Sequence, residues 1–401
     1  MEKKTKFKRR MFAVAAIVGM GMTMTQIAFG KESFNAENGG LNYVLPADNG
    51  YYFLCGGHLY FWNGDVTKQA VPLCSRPNCS HTTEDCVAMI RDASRKMYEV
   101  DDGFYVLSTW PREDSRTGEK MMPIWRVEKD GSGKIIAEIP EAGSVNYTIF
   151  QDKIYYTMED AQEDGNYQFS IWQMSLDGKD NKQIWQSDLY SGYIDTLQGI
   201  GDWLYISENG CEEIIDWTNE DNIDFEKLPM RTNLYLYQPQ AEEWITKPDE
   251  YKKEDVLLSI QNIYQNEIYL TYYDSKAEIR KVWKKGFDLE DEAQFVGEFP
   301  RKAYKWDNLY GYTWPDRNNE NENWFEIYDH NGTFVQKIDL YPYDDVDIVS
   351  ADEKYAFVYW EQVQDNVSQD VIGVIERDKI ATQEATLIQL TKGMNGNSFE
   401  R

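Results

Sequence analysis

"QDKIYYT" (151–157) sets a turn, an apolar residue, a tyrosine and then further apolar or aromatic residues in succession. The same order recurs as "GGHLYFW" (56–62), "DDGFYVL" (101–107), "GDWLYIS" (201–207), "QNEIYLT" (265–271), "WDNLYGYT" (306–313) and "ADEKYAFVYW" (351–360). Counted on Tyr60, Tyr105, Tyr155, Tyr205, Tyr269, Tyr310 and Tyr355, the spacings are 45, 50, 50, 64, 41 and 45 residues. Self-similarity at this period marks a repeat architecture.

Hairpins follow the copies: "PIWRVEKDGSGKIIAEI" (123–139), "SIWQMSLDGKDNKQIWQ" (170–186), "NLYLYQPQAEEWIT" (233–246) and "WFEIYDHNGTFVQKIDL" (324–340). Apolar and polar residues alternate in them, as strands require. Asp130-Gly131, Asp177-Gly178 and Asn331-Gly332 supply the positive φ values of tight turns. No strand–helix alternation appears, which excludes a parallel α/β sheet. One four-stranded unit cannot bury both faces, but radial packing buries both and leaves short edges. The sequence therefore predicts an all-β chain forming a single β-propeller of four-stranded antiparallel blades. Seven units predict seven blades. Six is the alternative, if the first and last units share a blade, with "ATLIQLT" (385–391) as candidate closure strand. The fourth unit carries an insertion between Tyr205 and Tyr235, read as a loop over one face.

The composition agrees. The chain holds 28 Tyr, 13 Trp and 17 Phe, residues that suit half-buried pleated strands. The N-terminus reads as an export signal over 1–30: a basic run from Lys3 to Arg10, an apolar stretch from Met11, then Ala28-Phe29-Gly30. The apolar stretch is short for a membrane span. A flexible linker (31–41), the propeller (42–391) and a flexible tail (392–401) complete the expected layout, and the product is secreted or held at the cell surface. With 41 Lys+Arg against 69 Asp+Glu, the formal net charge is −28. That excludes nucleic acid and anionic membranes as partners; a soluble monomer is expected.

"CSRPNCSHTTEDC" (74–86) gathers three of the five cysteines and one of the three histidines. Cys74-x4-Cys79-x-His81-x4-Cys86 supplies three thiols and an imidazole, a tetrahedral set that suits one structural Zn²⁺. The competing reading is disulfide pairing among Cys74, Cys79, Cys86 and Cys55, with Cys211 also available, since exported cysteines tend to pair. Either would stabilise an apolar-poor segment, a disulfide by roughly 2–4 kcal/mol.

The stretch "GHLYFWNGDVTKQAVPLCSRPNCSHTTEDCVA" (57–88) resembles the opening of an uncharacterised family of exported propeller-like proteins of Gram-positive anaerobes, through Leu73, Cys74, Pro77, Cys79, His81 and Cys86. The later units resemble TolB-like and YWTD-type propellers. The resemblance implies a fold and an address, and no reaction.

Catalytic motifs are lacking. No G-x-S-x-G elbow exists, and "SLDGKDNK" (175–182) departs from the sialidase Asp-box. The acidic stretches "NEDNID" (219–224), "NNENEN" (318–323) and "YDDVD" (343–347) lack the calcium-loop pattern. His58 and His330 read as surface or turn histidines. The expectation is a non-enzymatic binding protein taking a protein, peptide or carbohydrate on a propeller face. The second reading is an extracellular carbohydrate-active hydrolase or lyase using channel carboxylates.

Overall fold

The computed structural model describes the chain from Tyr43 to Asn395, except residues 80, 82–85, 87, 91–92, 101, 109–111, 114–117, 119, 141–145, 163–164, 218–222, 224–226, 249–251, 254–255, 258, 265–266, 275–276, 287–290, 301–302, 307–309, 314–323, 330, 342, 344–345, 365–366 and 392–393. The expected export signal and linker, and His330, lie outside the described residues.

Seven four-stranded antiparallel blades follow one another along the chain and form a seven-bladed propeller. Blade 1 comprises Val44–Ala47, Gly50–Cys55, His58–Trp62 and Val71–Pro72. Blade 2 comprises Ala93–Val100, Gly103–Ser108, Lys120–Glu128 and Gly133–Pro140. Blade 3 comprises Tyr147–Phe150, Lys153–Ala161, Tyr167–Ser175 and Lys182–Gln186. Blade 4 comprises Tyr190–Ile200, Trp203–Cys211, Met230–Gln238 and Glu243–Pro248. Blade 5 comprises Ser259–Tyr264, Glu267–Asp274, Ile279–Gly286 and Gln294–Pro300. Blade 6 comprises Ala303–Trp306, Tyr310–Thr313, Trp324–Asp329 and Phe334–Asp339. Blade 7 comprises Asp347–Ala351, Tyr355–Gln364, Val367–Glu376 and Leu387–Gln389.

The second strands explain the repeat. Side chains alternate between faces, and here both faces are covered. Ile154 and Tyr156 pack toward blade 2, while Tyr155 packs toward blade 4. Leu204 and Ile206 face blade 3, while Tyr205 faces blade 5. Ile268 and Leu270 face blade 4, while Tyr269 faces blade 6. The first copy is displaced. "GGHLYFW" lies on the third strand of blade 1, and the matching second strand is "GYYFLC" (50–55). There Phe53 packs toward blade 7 and Leu54 toward blade 2.

The ring closes without a shared strand, so the six-blade alternative is not realised. Residues 387–389 pair with Val367–Glu376 of their own blade and are not exchanged into blade 1. Closure rests on packing of Tyr51, Phe53 and Trp62 against Phe357, Tyr359 and Val374. Across that seam the Ala70 N–H donates to the Leu390 carbonyl at 2.8 Å, and the Tyr51 hydroxyl to Asp352 Oδ2 at 2.7 Å. Beyond Thr391, Met394–Asn395 pair with Asp370 and Gln369, so strand pairing continues into the expected tail.

The Asp-Gly and Asn-Gly turns have a second task. Gly131, Gly178 and Gly332 have φ of 84°, 79° and 73°. Each also abuts the outer strand of the preceding blade or its continuation. A Cβ on Gly332 would stand 2.1 Å from the Glu298 carbonyl oxygen, whereas one on Gly201 (φ 57°) would meet nothing within 4 Å. Gly201→Ala is therefore expected to cost only the left-handed backbone penalty, about 1–2 kcal/mol. Gly332→Ala is expected to cost clearly more, because a neighbouring backbone must also shift. Urea denaturation of the two variants measures the difference. Equal midpoints would show that the turn does not press on blade 5.

Candidate metal centre

The Cys/His segment is the link from blade 1 to blade 2. It leaves the short fourth strand with the Leu73 N–H donating to the Leu59 carbonyl at 2.8 Å. Asn78 and His81 both have φ of 58°, so the segment turns back on itself through two left-handed residues. The return path is fixed by backbone. The Met89 N–H donates to the Cys86 carbonyl at 3.1 Å, the Ile90 N–H to the Gly57 carbonyl at 2.7 Å, and Met89 forms an antiparallel bridge with His58. Blade 2 closes the site from the other side: a Cβ on Gly131 would lie 1.7 Å from the Leu73 carbonyl oxygen and 2.9 Å from Ala88 Cβ.

This path brings together all four residues singled out in the sequence. The donor atoms of Cys74, Cys79, His81 and Cys86 lie within 4.8 Å of one another, close enough to hold a metal ion. Cys86 Sγ stands 3.7 Å from Cys74 Sγ and 3.5 Å from His81 Nδ1. Around tetrahedral zinc, bond lengths of ~2.3 Å to sulfur and ~2.0–2.1 Å to nitrogen put sulfurs ~3.8 Å apart and sulfur and nitrogen ~3.6 Å apart. A disulfide would bring two sulfurs to about 2.05 Å, and none of the five cysteines is in one. Cys55 and Cys211 do not join the cluster. Cys55 Sγ lies at the seam between blades 1 and 7, 3.3 Å from the Asp370 carbonyl oxygen. Cys211 is buried at the end of the second strand of blade 4.

The thiols of the cluster are perturbed in opposite directions. Burial pushes the Cys86 thiol up to about 12, and the neighbouring thiols add to the rise. Burial also raises Cys74, but hydrogen bonds from the Arg76 backbone and from Cys86 and Cys79 outweigh it and leave that thiol below its ordinary value. Thiolate, not thiol, is the ligating form of cysteine. A divalent cation bound here would therefore displace thiol protons.

Two residues near functional features escape the sequence reading. His58 is not a turn or surface histidine: it opens the third strand of blade 1 and is 1% exposed. Glu208 continues the apolar face of Leu204 and Ile206 toward blade 3, yet it is a carboxyl and is 1% exposed. It accepts hydrogen bonds from Ser187 Oγ and, at 3.0 Å, from the Tyr235 hydroxyl. Burial raises it to about 7, against those hydrogen bonds and the nearby Arg231. A carboxyl so raised binds its proton more tightly in the folded than in the unfolded chain. Its contribution to stability is full below the usual carboxylate range and is lost as pH climbs through 7. The loss is on the order of 3 kcal/mol. Glu208→Gln is expected to match the parent at pH 5 and to be more stable than it at pH 8, by urea denaturation at both. The same ranking at both pH values would refute a buried, titrating Glu208.

The blade 4 insertion starts beside this residue and is tied to blade 3. Buried Asn166 mimics a strand edge: its Nδ2 donates to the Ile215 carbonyl at 2.9 Å, and its Oδ1 accepts from the Ile215 N–H at 3.0 Å. Ser191 Oγ donates to the same oxygen at 2.9 Å. Arg231 meanwhile joins Asp188 and Glu212. On this anchored base, Ile214 is 59% exposed, and Tyr193 on the innermost strand is 44% exposed. The antiparallel strand order puts the insertion and the start of that inner strand at the same end of blade 4.

No protein-family model matches the chain, and no curated protein matches it. Among solved structures it is similar to a prolyl endopeptidase, with a TM-score of 0.48 and 9% identity, covering 97% of this chain and 53% of that one. It is similar to the acylaminoacyl peptidase of Pyrococcus horikoshii (TM-score 0.40, 14% identity, 73% of this chain and 45% of that one). The β-propeller domain of the Trilobed protease from Pyrococcus furiosus gives a TM-score of 0.39 at 15% identity, over 78% of this chain and 99% of that one. The chain thus spans about half the length of the first two. At these identities no residue's role carries over.

Proposed function

We propose that this chain is an exported, non-enzymatic propeller that presents a binding face, with one structural Zn²⁺ clamping the link between blades 1 and 2. The observation that carries the metal reading is the convergence of three thiols and an imidazole within 4.8 Å of one another, with Cys86 at tetrahedral edge lengths from Cys74 and His81. Three thiolates and an imidazole fill a zinc coordination sphere and leave no position for substrate, so the role is structural. The segment 73–88 also supports membership of the exported, Cys-x-x-Pro-x-Cys-x-His-bearing family that the sequence resembles.

The binding reading rests on the blade 4 insertion. A loop held by buried hydrogen bonds presents apolar side chains without losing much order on binding. Exposed Tyr193 and Ile214 suit a carbohydrate or an unstructured peptide. The test is a glycan and peptide array probed with the parent chain and with Tyr193→Ala and Ile214→Asp. The expected result is a hit weakened at least about tenfold by either change, with unaltered thermal unfolding. Hits bound equally by all three proteins would place the ligand elsewhere. For the address, residues 1–40 fused to a reporter should direct it out of a bacterial host, and retention in the cytoplasm would refute export.

A further inference from the structure

The two ends of the blade 1 to blade 2 link are pinned to neighbouring points of one strand. The Leu73 N–H donates to the Leu59 carbonyl at 2.8 Å, and the Ile90 N–H to the Gly57 carbonyl at 2.7 Å. Cys74 directly follows the first contact, and its own N–H donates to the Pro72 carbonyl at 3.0 Å. Cys86 precedes the second contact, and its carbonyl accepts from the Met89 N–H at 3.1 Å. These two cysteines therefore meet at the base of the link, Sγ to Sγ at 3.7 Å. Cys79 and His81 sit beyond that base, on a turn with left-handed residues at Asn78 and His81. There the Cys79 N–H donates to the Arg76 carbonyl at 3.4 Å, a contact inside the turn itself.

The thiols also differ in access. Cys74 and Cys79 are half-buried, whereas Cys86 is buried. A small oxidant arriving from solvent meets Cys74 with a second sulfur close behind it. An accessible cysteine backed by a resolving one is the arrangement of redox sensors.

We propose that the centre is a peroxide-sensitive clasp, in which oxidation joins Cys74 to Cys86, expels the ion and frees the turn carrying Cys79 and His81. This rests on the metal reading above. The oxidant is a peroxide. The Cys74 thiolate attacks one peroxide oxygen, the O–O bond breaks, and a sulfenic acid and a hydroxide form. The Cys86 thiolate then attacks Cys74 Sγ and expels a second hydroxide. Two thiolates have given two electrons, and one peroxide has become two hydroxides. Cys79 and His81 remain as donors, two where zinc takes four, so Zn²⁺ leaves and Cys79 takes a proton from water. The new bond joins the two pinned ends, so the base of the link stays closed while its turn is released. Loss of the ion alone opens both.

Hydrogen peroxide is the probe, added to the full chain loaded with Zn²⁺. Zinc release is expected to run at least about tenfold faster than without peroxide, in step with the loss of two thiols per chain. Mass spectrometry should find Cys74 joined to Cys86, with Cys79, Cys55 and Cys211 still thiols, and dithiothreitol should restore zinc binding. Cys79→Ser should form the same bond. Hydrogen exchange should rise around Cys79 and His81 and stay slow at residues 86–90, whereas chelation should speed both. Zinc retained under peroxide would overturn the proposal and leave the metal reading standing. So would release with a disulfide through Cys79, with a sulfinic acid at Cys74, or with exchange at 86–90 as fast as after chelation. A reduced chain that takes up no zinc would overturn both.

Discussion

Cys86→Ser is expected to abolish stoichiometric metal binding and to release the link between blades 1 and 2 while the ring stays folded. Cys86 is the buried member of the four donors and stands close to Cys74 Sγ and His81 Nδ1. A serine hydroxyl is a poor ligand for a soft-donor site. In isolated zinc-finger peptides the ion contributes about 10–16 kcal/mol to folding, because nothing else holds them. Here the ring has its own core, continuous across the junctions between blades. The loss should therefore appear as local opening rather than global unfolding. Hydrogen exchange at residues 74–90 is expected to accelerate strongly, with little change in the second strands of blades 3 to 7. Chelation of the parent chain should produce the same pattern. Uniform acceleration around the ring would mean that the cluster is part of the global core. No acceleration would mean that it holds nothing.

Tyr155→Ala is expected to cost about 3–5 kcal/mol, the range for removing a large aromatic from a core. Tyr155 is fully buried between blades 3 and 4, where it meets Tyr237 edge-on at 6.3 Å and packs with Phe150, Ile194 and Leu204. Tyr155→Phe should behave in the opposite way. The Tyr155 hydroxyl is buried without a hydrogen-bond partner, so its removal relieves a desolvated group and leaves the ring in place. Phenylalanine is expected to be neutral or stabilising by about 1 kcal/mol. Guanidinium denaturation of both variants checks this. A loss of several kcal/mol in Tyr155→Phe would show that the hydroxyl is bonded after all.

The architecture was legible in the sequence because each blade needs the same solution. A second strand covered on both faces must be apolar at successive positions, and this produces "KIYYT", "WLYIS" and "EIYLT" alike. The first blade broke the pattern because its second and third strands both carry aromatic runs, "GYYFLC" and "HLYFW". Counting tyrosines could not tell one from the other. The six-blade alternative, with 385–391 as closure strand, stays open in the sequence because an outer strand of the last blade and an exchanged strand carry the same alternation; only pairing partners separate them.

The cluster was legible as a ligand set because Cys and His are rare in this chain. Its geometry was not, because the convergence depends on left-handed turns at Asn78 and His81 and on the return of Met89 to His58. His58 itself follows two glycines, which disguised a strand residue as a turn residue. Glu208 was discoverable in principle: a carboxylate at the next alternate position after Leu204 and Ile206 announces a charge on an apolar face.

The most direct measurement is elemental analysis with thiol counting on the full chain purified without oxidant or chelator. One zinc per chain is expected, with three cysteines that resist thiol reagents until the ion is removed. Absence of stoichiometric metal, together with a Cys74–Cys86 or Cys74–Cys79 disulfide found by mass spectrometry, would contradict it.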